Sequence, residues 1–159
     1  MSAQHSLPWG EDLPEVLLHV TAADALPRIV QFGLPKGAQW ANADVAAYHA
    51  RLFEDIGYAP AILSLPRQVL EQYAPSPDWD ALNTPPLEVV QRDTEALNLL
   101  WTSGDPTSGR SLGLVGSMRT EQLIPAALLH AYLPHLREQA ARSRARRRQT
   151  AQKHRKKKN

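Results

Sequence analysis

Apolar and polar residues change rhythm several times along this chain. After an irregular lead-in with Pro8, Gly10 and Pro14, the run Val16-Leu17-Leu18-His19-Val20 is short and apolar and reads as a strand. Thr21 to Phe32 then predicts a helix, with Thr21 and Asp24 at capping-box spacing, Pro27 in the first turn and Gly33 as the stop. Residues 36–42 read as a loop or short strand. Asn42 is a good N-cap for a second helix running to Ile56, on which Val45, Tyr48, Leu52, Phe53 and Ile56 keep helical spacing and predict a core-facing stripe. Ala61 to Leu65 reads as a second strand and Gln68 to Tyr73 as a short helix.

The second half is less regular. Residues 74–86 read as a loop rich in Pro and Asp, residues 87–101 fit either strand or helix, and residues 102–110 look turn-forming. Ser111 to Met118 reads as a glycine-rich strand. From Pro125 onward the pattern is helical, bent near Pro134, and it runs into a basic terminus. Mixed short strands and helices with no internal repeat imply the α+β class.

Composition refines this outline. The chain has 159 residues, 43% of them apolar, which suits one domain with an appendage. No run of 18 uncharged apolar residues occurs, so no membrane span is expected. The first residues have neither a basic start nor an apolar core, unlike a secretory signal. There is no cysteine, which excludes disulfides, thiol catalysis and cysteine-ligated metals and is compatible with a reducing cytoplasm. No pair of histidines has the spacing of a helical metal site, and no phosphate-cradling Gly-Lys-Ser/Thr loop or nucleophile elbow occurs.

The formal charge of +2 conceals a segregation. Residues 1–136 hold seven Lys/Arg against fifteen Asp/Glu, a net −8, whereas residues 137–159 hold eleven Lys/Arg against Glu138 alone, a net +10. The division is therefore an acidic globular domain, 1–136, and a basic tail, 137–159. The tail concentrates Arg142, Arg144, Arg146, Arg147 and Arg148, then Lys153, Arg155, Lys156, Lys157 and Lys158. Such clusters bind phosphate backbones by releasing condensed counterions. Like-charge repulsion predicts disorder when free, with helix at the start. Lacking aromatics, the tail offers affinity without base stacking or sequence readout. Folding back on the acidic body, or serving solubility alone, are the competing readings.

Three segments in order resemble the ADP-ribosyltransferase-like superfamily, which includes NAD-dependent ADP-ribosyltransferases, among them a DNA-targeting toxin branch, and tRNA 2′-phosphotransferases. The first is Leu17-Leu18-His19-Val20-Thr21 with Ala25 to Ile29 and Gly33-Leu34. The second is Ala46-Ala47-Tyr48-His49 followed by Pro60 to Leu65. The third is Arg119 to Pro125. The middle segment lacks a clear Ser-Thr-Ser pattern, and Ala38-Gln39-Trp40 replaces the usual strand start.

The resemblance implies NAD held as a substrate in a cleft between two small, split sheets. His19 would bond an adenosine-side ribose hydroxyl, with Thr21 beside it. Tyr48 would stack on the nicotinamide, and Glu121 would stabilise the oxocarbenium-like transition state. The basic tail would hold a nucleic-acid target nearby. Apart from the resemblance, Arg28 and Arg51 could bind a pyrophosphate, and Trp40, in the loop after Gly33, is a candidate ligand contact. Residue by residue, blander roles compete: His19 as a satisfied core histidine, Tyr48 as core packing, Glu121 as a first-turn helix acid. A non-catalytic module, with the tail on nucleic acid and a protein partner on the acidic body, is the alternative function.

Overall fold

The computed structural model describes residues 13–83 and 107–158. The strands are β1 (Val16–Ala22), β2 (Ala38–Ala41), β3 (Pro60–Pro66), β4 (Pro75–Pro77) and β5 (Ser117–Thr120). The helices are α1 (Leu26–Phe32), α2 (Ala43–Asp55), α3 (Arg67–Leu70), α4 (Trp79–Asn83), α5 (Ser108–Val115), α6 (Ala126–Tyr132) and α7 (Leu136–Lys158). The expected strand-or-helix readings for residues 87–101 lie outside the described residues.

All five strands join one open antiparallel sheet in the order β3-β1-β2-β5-β4. The class is α+β, but the sheet is single where a split pair was expected. The reason is β2. It pairs along its whole length with β5, and through Ala41 with Leu18 of β1. That second junction is thin: one residue pair joins β1 to β2, against seven joining β1 to β3. Both edge strands begin and end in proline, Pro60 and Pro66 on β3 and Pro75 and Pro77 on β4. Proline withholds ladder donors, so neither edge invites another strand.

Strand alternation separates two faces. Leu17, Leu63 and Leu65 join Trp40, Met118, Leu26 and Ile29 of α1, Leu129 of α6 and Leu136 and Ala140 of α7 in the main core. On the opposite face, α2 lies over β1 and β3. Gly33 is the tight point on the core side. It ends α1 at φ 84°, and a Cβ there would collide with the carbonyl oxygen of Ile124. That close approach permits the reciprocal bonds between Leu34 and Ile124, both 2.9 Å.

Several elements depart from expectation. β1 continues through Thr21 and Ala22, so Thr21 is a strand residue and not a helix cap; a 3-10 turn at Ala23–Ala25 precedes α1. Pairing of Thr21 with Ala61 and Ala22 with Pro60 holds the chain extended beyond the apolar run. Residues 75–77 and 79–83 form β4 and α4 where a loop was expected. Residues 108–115 are helical where a turn and a strand were expected. The Thr107 side chain accepts from Arg110 N, and Gly116 closes α5 in the left-handed region at φ 79°. Asn42 caps α2 as expected, its Oδ1 accepting from Val45 N at 2.9 Å.

Candidate functional site

An opening lies beside the thin β1–β2 junction, next to the predicted residue His19. Where the ladder stops, the His19 Nδ1–H donates to the Gln39 carbonyl oxygen at 2.8 Å, a side chain replacing a backbone rung. That bond leaves Nε2 as an acceptor. Burial pushes the His19 pKa down and outweighs the bond to Gln39; the nearby His49 lowers it further. The ring is therefore neutral, and it tilts against Trp40 with centroids 5.5 Å apart.

Beside the junction lies a cavity of about 570 Å³, within the size range of small-ligand sites. His19, Thr21, Arg28 and Lys36 supply its polar lining, and Ile29, Phe32, Leu34 and Leu123 much of its apolar lining. Arg28 and Lys36 are exposed. The cavity could accept a ligand with a flat or apolar body and an anionic end. Lys36 was not anticipated; the turn Gly33 to Gly37, positive in φ at both glycines, turns the chain along the cavity wall between α1 and β2.

His19 and Thr21, assigned to NAD by resemblance, and the pyrophosphate candidate Arg28 thus line one cavity. The others lie elsewhere. Trp40 is 0% exposed in the core, its Nε1–H donating to Thr120 Oγ1 at 3.2 Å, so it has no free face for a ligand. Tyr48 is on the outward side of α2 and 59% exposed; it neither packs in the core nor reaches the cavity. Glu121 follows β5, and its Oε1 accepts from Ser76 Oγ at 2.9 Å while its backbone N–H donates to Ala74. It is not a first-turn acid either, since α6 starts at Ala126 with Pro125 as its N-cap. His19, Tyr48 and Glu121 do not share one cleft.

The face opposite the core carries a polar network that sequence reasoning missed. Asp78 is 0% exposed, yet it accepts from Gln39 Nε2 at 2.6 Å, Ser117 Oγ at 2.7 Å and Arg119 Nε at 3.1 Å. Burial alone would raise its pKa; these bonds and one from Ala81 N outweigh burial and hold the carboxyl below its ordinary range. Arg119 also donates to Gly37 O and to Asp80. The network ties β2, β4, β5 and α4 together. Its only sequence signal was an aspartate in a run that reads as loop. Among the described residues no group of three or more His, Asp or Glu could hold a metal ion, and no helix is long and apolar enough to cross a membrane.

The second candidate site is α7. Its 23 residues make one continuous helix about 34 Å long. The expected boundary at 136/137 falls inside this element. Leu136, Ala140 and Ser143 recur at i, i+4 and i+7, are buried, and dock the helix against α1. Asp24 reinforces the dock, accepting from Ser143 Oγ at 3.3 Å and lying 3.7 Å from Arg147 Nε. Arg137, Arg142, Arg144, Arg146, Arg147, Arg148, Lys153 and Arg155 are all exposed. Arg142 pairs with Glu138 at 2.7 Å and Arg147 with Asp24 at 3.7 Å. No family model, curated protein or solved structure matches the chain.

Proposed function

We propose that the chain binds a nucleic-acid phosphate backbone through α7, with the acidic body as the platform that holds and orients the helix. The observation that carries this reading is the division of labour along α7. Leu136, Ala140 and Ser143 face the body, and the cations from Arg137 to Arg155 face solvent. An acidic stretch of net −8 repels the polyanion from the rest of the surface, which directs contact to the helix. An α-helix fits the major groove, and a rod of cations can also track a single strand. With no aromatic on the helix, contacts go to phosphates and carry little sequence preference.

Fluorescence anisotropy with a labelled duplex of about 20 base pairs tests this. If about six phosphate contacts form, affinity falls roughly a thousandfold between about 50 and 200 mM salt. Deleting residues 144–159 flattens that dependence. A slope unchanged by the deletion would remove α7 from the account.

A second reading has one observation in its favour: His19 and Thr21, which the ADP-ribosyltransferase-like resemblance assigns to NAD, line the same cavity as Arg28, a candidate for its pyrophosphate. On that reading the chain is a transferase that consumes NAD, and α7 brings it a nucleic acid or nucleic-acid-associated target. His19 Nε2 would accept from a ribose hydroxyl and Arg28 would face the pyrophosphate. Thermal unfolding with millimolar NAD decides it. Binding to the native state raises stability by about 2.7 kcal/mol at a hundredfold excess over Kd, and no shift at that concentration rejects the reading.

A further inference from the structure

Helix α2 carries a face that the fold does not use. Its inward side is Ala46, with Phe53 partly buried. Tyr48, Leu52 and Ile56 recur every four residues, so they form one stripe, and they are 59%, 44% and 69% exposed. Tyr58, just past the helix, and Ile62 are also about half exposed. Ile62, on the edge strand β3, borders a cavity shared with Arg142 and Arg146 of α7, so it is not counted with the stripe. Isolated exposed apolar residues are ordinary; a stripe of this kind marks a contact surface.

The charges beside the stripe indicate what covers it. Asp44, Arg51 and Asp55 line one flank of α2, at helical positions next to Tyr48. Acids there disfavour an anionic lipid surface or a nucleic acid, both of which select basic flanks. An antiparallel copy of the same helix satisfies both features. With a twofold axis near Leu52, Tyr48 falls opposite Ile56 of the partner subunit, and Arg51 falls beside Asp55 of the partner subunit. Strand addition is no competing route, because both edge strands are bounded by prolines.

We infer that the chain forms a twofold homodimer through antiparallel packing of α2 on α2. Tyr48, Leu52, Ile56 and Tyr58, each offering on the order of 100 Å², supply about half of the roughly 800 Å² per subunit that a stable interface buries; the charged flank adds to this. The dimer goes beyond the phosphate-binding reading and does not depend on it. Where both hold, two copies of α7 act on one polyanion and avidity rises without new contacts.

Sedimentation velocity of the full chain without nucleic acid, in about 0.3 M salt to screen the basic helix from the acidic body, tests the inference. Across about 1 to 100 µM the expected result is a monomer–dimer equilibrium. Leu52→Glu raises the dissociation constant at least tenfold; at a concentration where both chains are monomeric its Tm stays within a few degrees, because nearly half of the side chain already meets water. Ile56→Lys does the same and guards against a folding defect specific to the first variant. Arg51→Asp weakens the dimer, and the double variant R51D/D55R restores it. A monomer at every concentration, or a dimer indifferent to both stripe variants, overturns the interface. A double variant no tighter than Arg51→Asp alone overturns the antiparallel register.

Discussion

At the scale of single residues, His19 and Asp78 each do work that a reading of residue type understates. His19 spans the place where the β1–β2 ladder ends, through its bond to Gln39. His19→Ala should cost about 1–2 kcal/mol in urea unfolding, the worth of a hydrogen bond whose carbonyl partner is left unsatisfied. The pH dependence follows from the same residue. Burial is the chief cause that depresses the pKa of His19 and that of His49, where Asp78 pulls upward and Arg119 downward. Unfolded histidine titrates near pH 6.5. Below that value the unfolded chain binds protons that the folded one refuses. Stability is therefore full above about pH 6.5 and declines as pH falls below it. Unfolding free energies at pH 7.5 and 5.5 should differ, and His19→Ala should narrow the gap; a gap of unchanged size would clear His19 of the effect. Asp78→Ala should be costlier, about 3 kcal/mol, because it strips three side-chain donors of their buried acceptor and leaves Arg119 only a carbonyl and the exposed Asp80. A loss under 1 kcal/mol by denaturant titration would show that water replaces the carboxylate without penalty.

At the scale of elements, α7 divides near Ser143. Before it lie the buried Leu136 and Ala140; after it no described side chain is buried. Removing residues 144–159 should leave the Tm within a few degrees of the intact chain, whereas Leu136→Ala should cost about 2–4 kcal/mol through the cavity it opens beneath the helix. A truncated chain that unfolds at ambient temperature would place the outer half of α7 in the core's support. The reason α7 is one helix and not a helix-to-coil tail is legible after the fact. Docking supplies the nucleus that an isolated charged segment lacks, and the cations at its C-terminal end interact favourably with the helix dipole. The helix α2 teaches the converse. Its 3.6-residue periodicity was visible, yet its stripe faces outward, because periodicity identifies an amphipathic helix without saying which surface receives it.

At the scale of the whole molecule, charge segregation sets the expected behaviour toward polyanions. Binding should be nearly indifferent to base sequence, within about threefold between scrambled duplexes of one length, if the exposed cations of α7 meet phosphates and not base edges. Neutralising Arg144, Arg148 and Arg155, at i, i+4 and i+11 on one side of the helix, should reduce the slope of log affinity against log salt by about one unit per cation lost. Anisotropy titrations at several salt concentrations measure both. Strong preference for one duplex would point to readout by the body and not by the helix.

Local chemistry alone determined much of this protein: the strands at 16–20 and 61–65, the Asn42 cap and the Gly33 stop, the helical character after Pro125, and the opposed charges of body and terminus. These are encoded in contiguous residues, where backbone propensity and Coulomb repulsion act over a few positions. The tertiary structure decided what depends on pairing between distant segments. It merged the strands into one sheet with a thin seam at His19. It seated the helix at 108–115 with Leu112 in the core, turned Tyr48 to solvent and Trp40 to the core, and set Glu121 apart from the cavity that His19, Thr21 and Arg28 share. Register and facing are long-range choices, made by whichever partner surface buries the most apolar area while leaving no polar group unpaired.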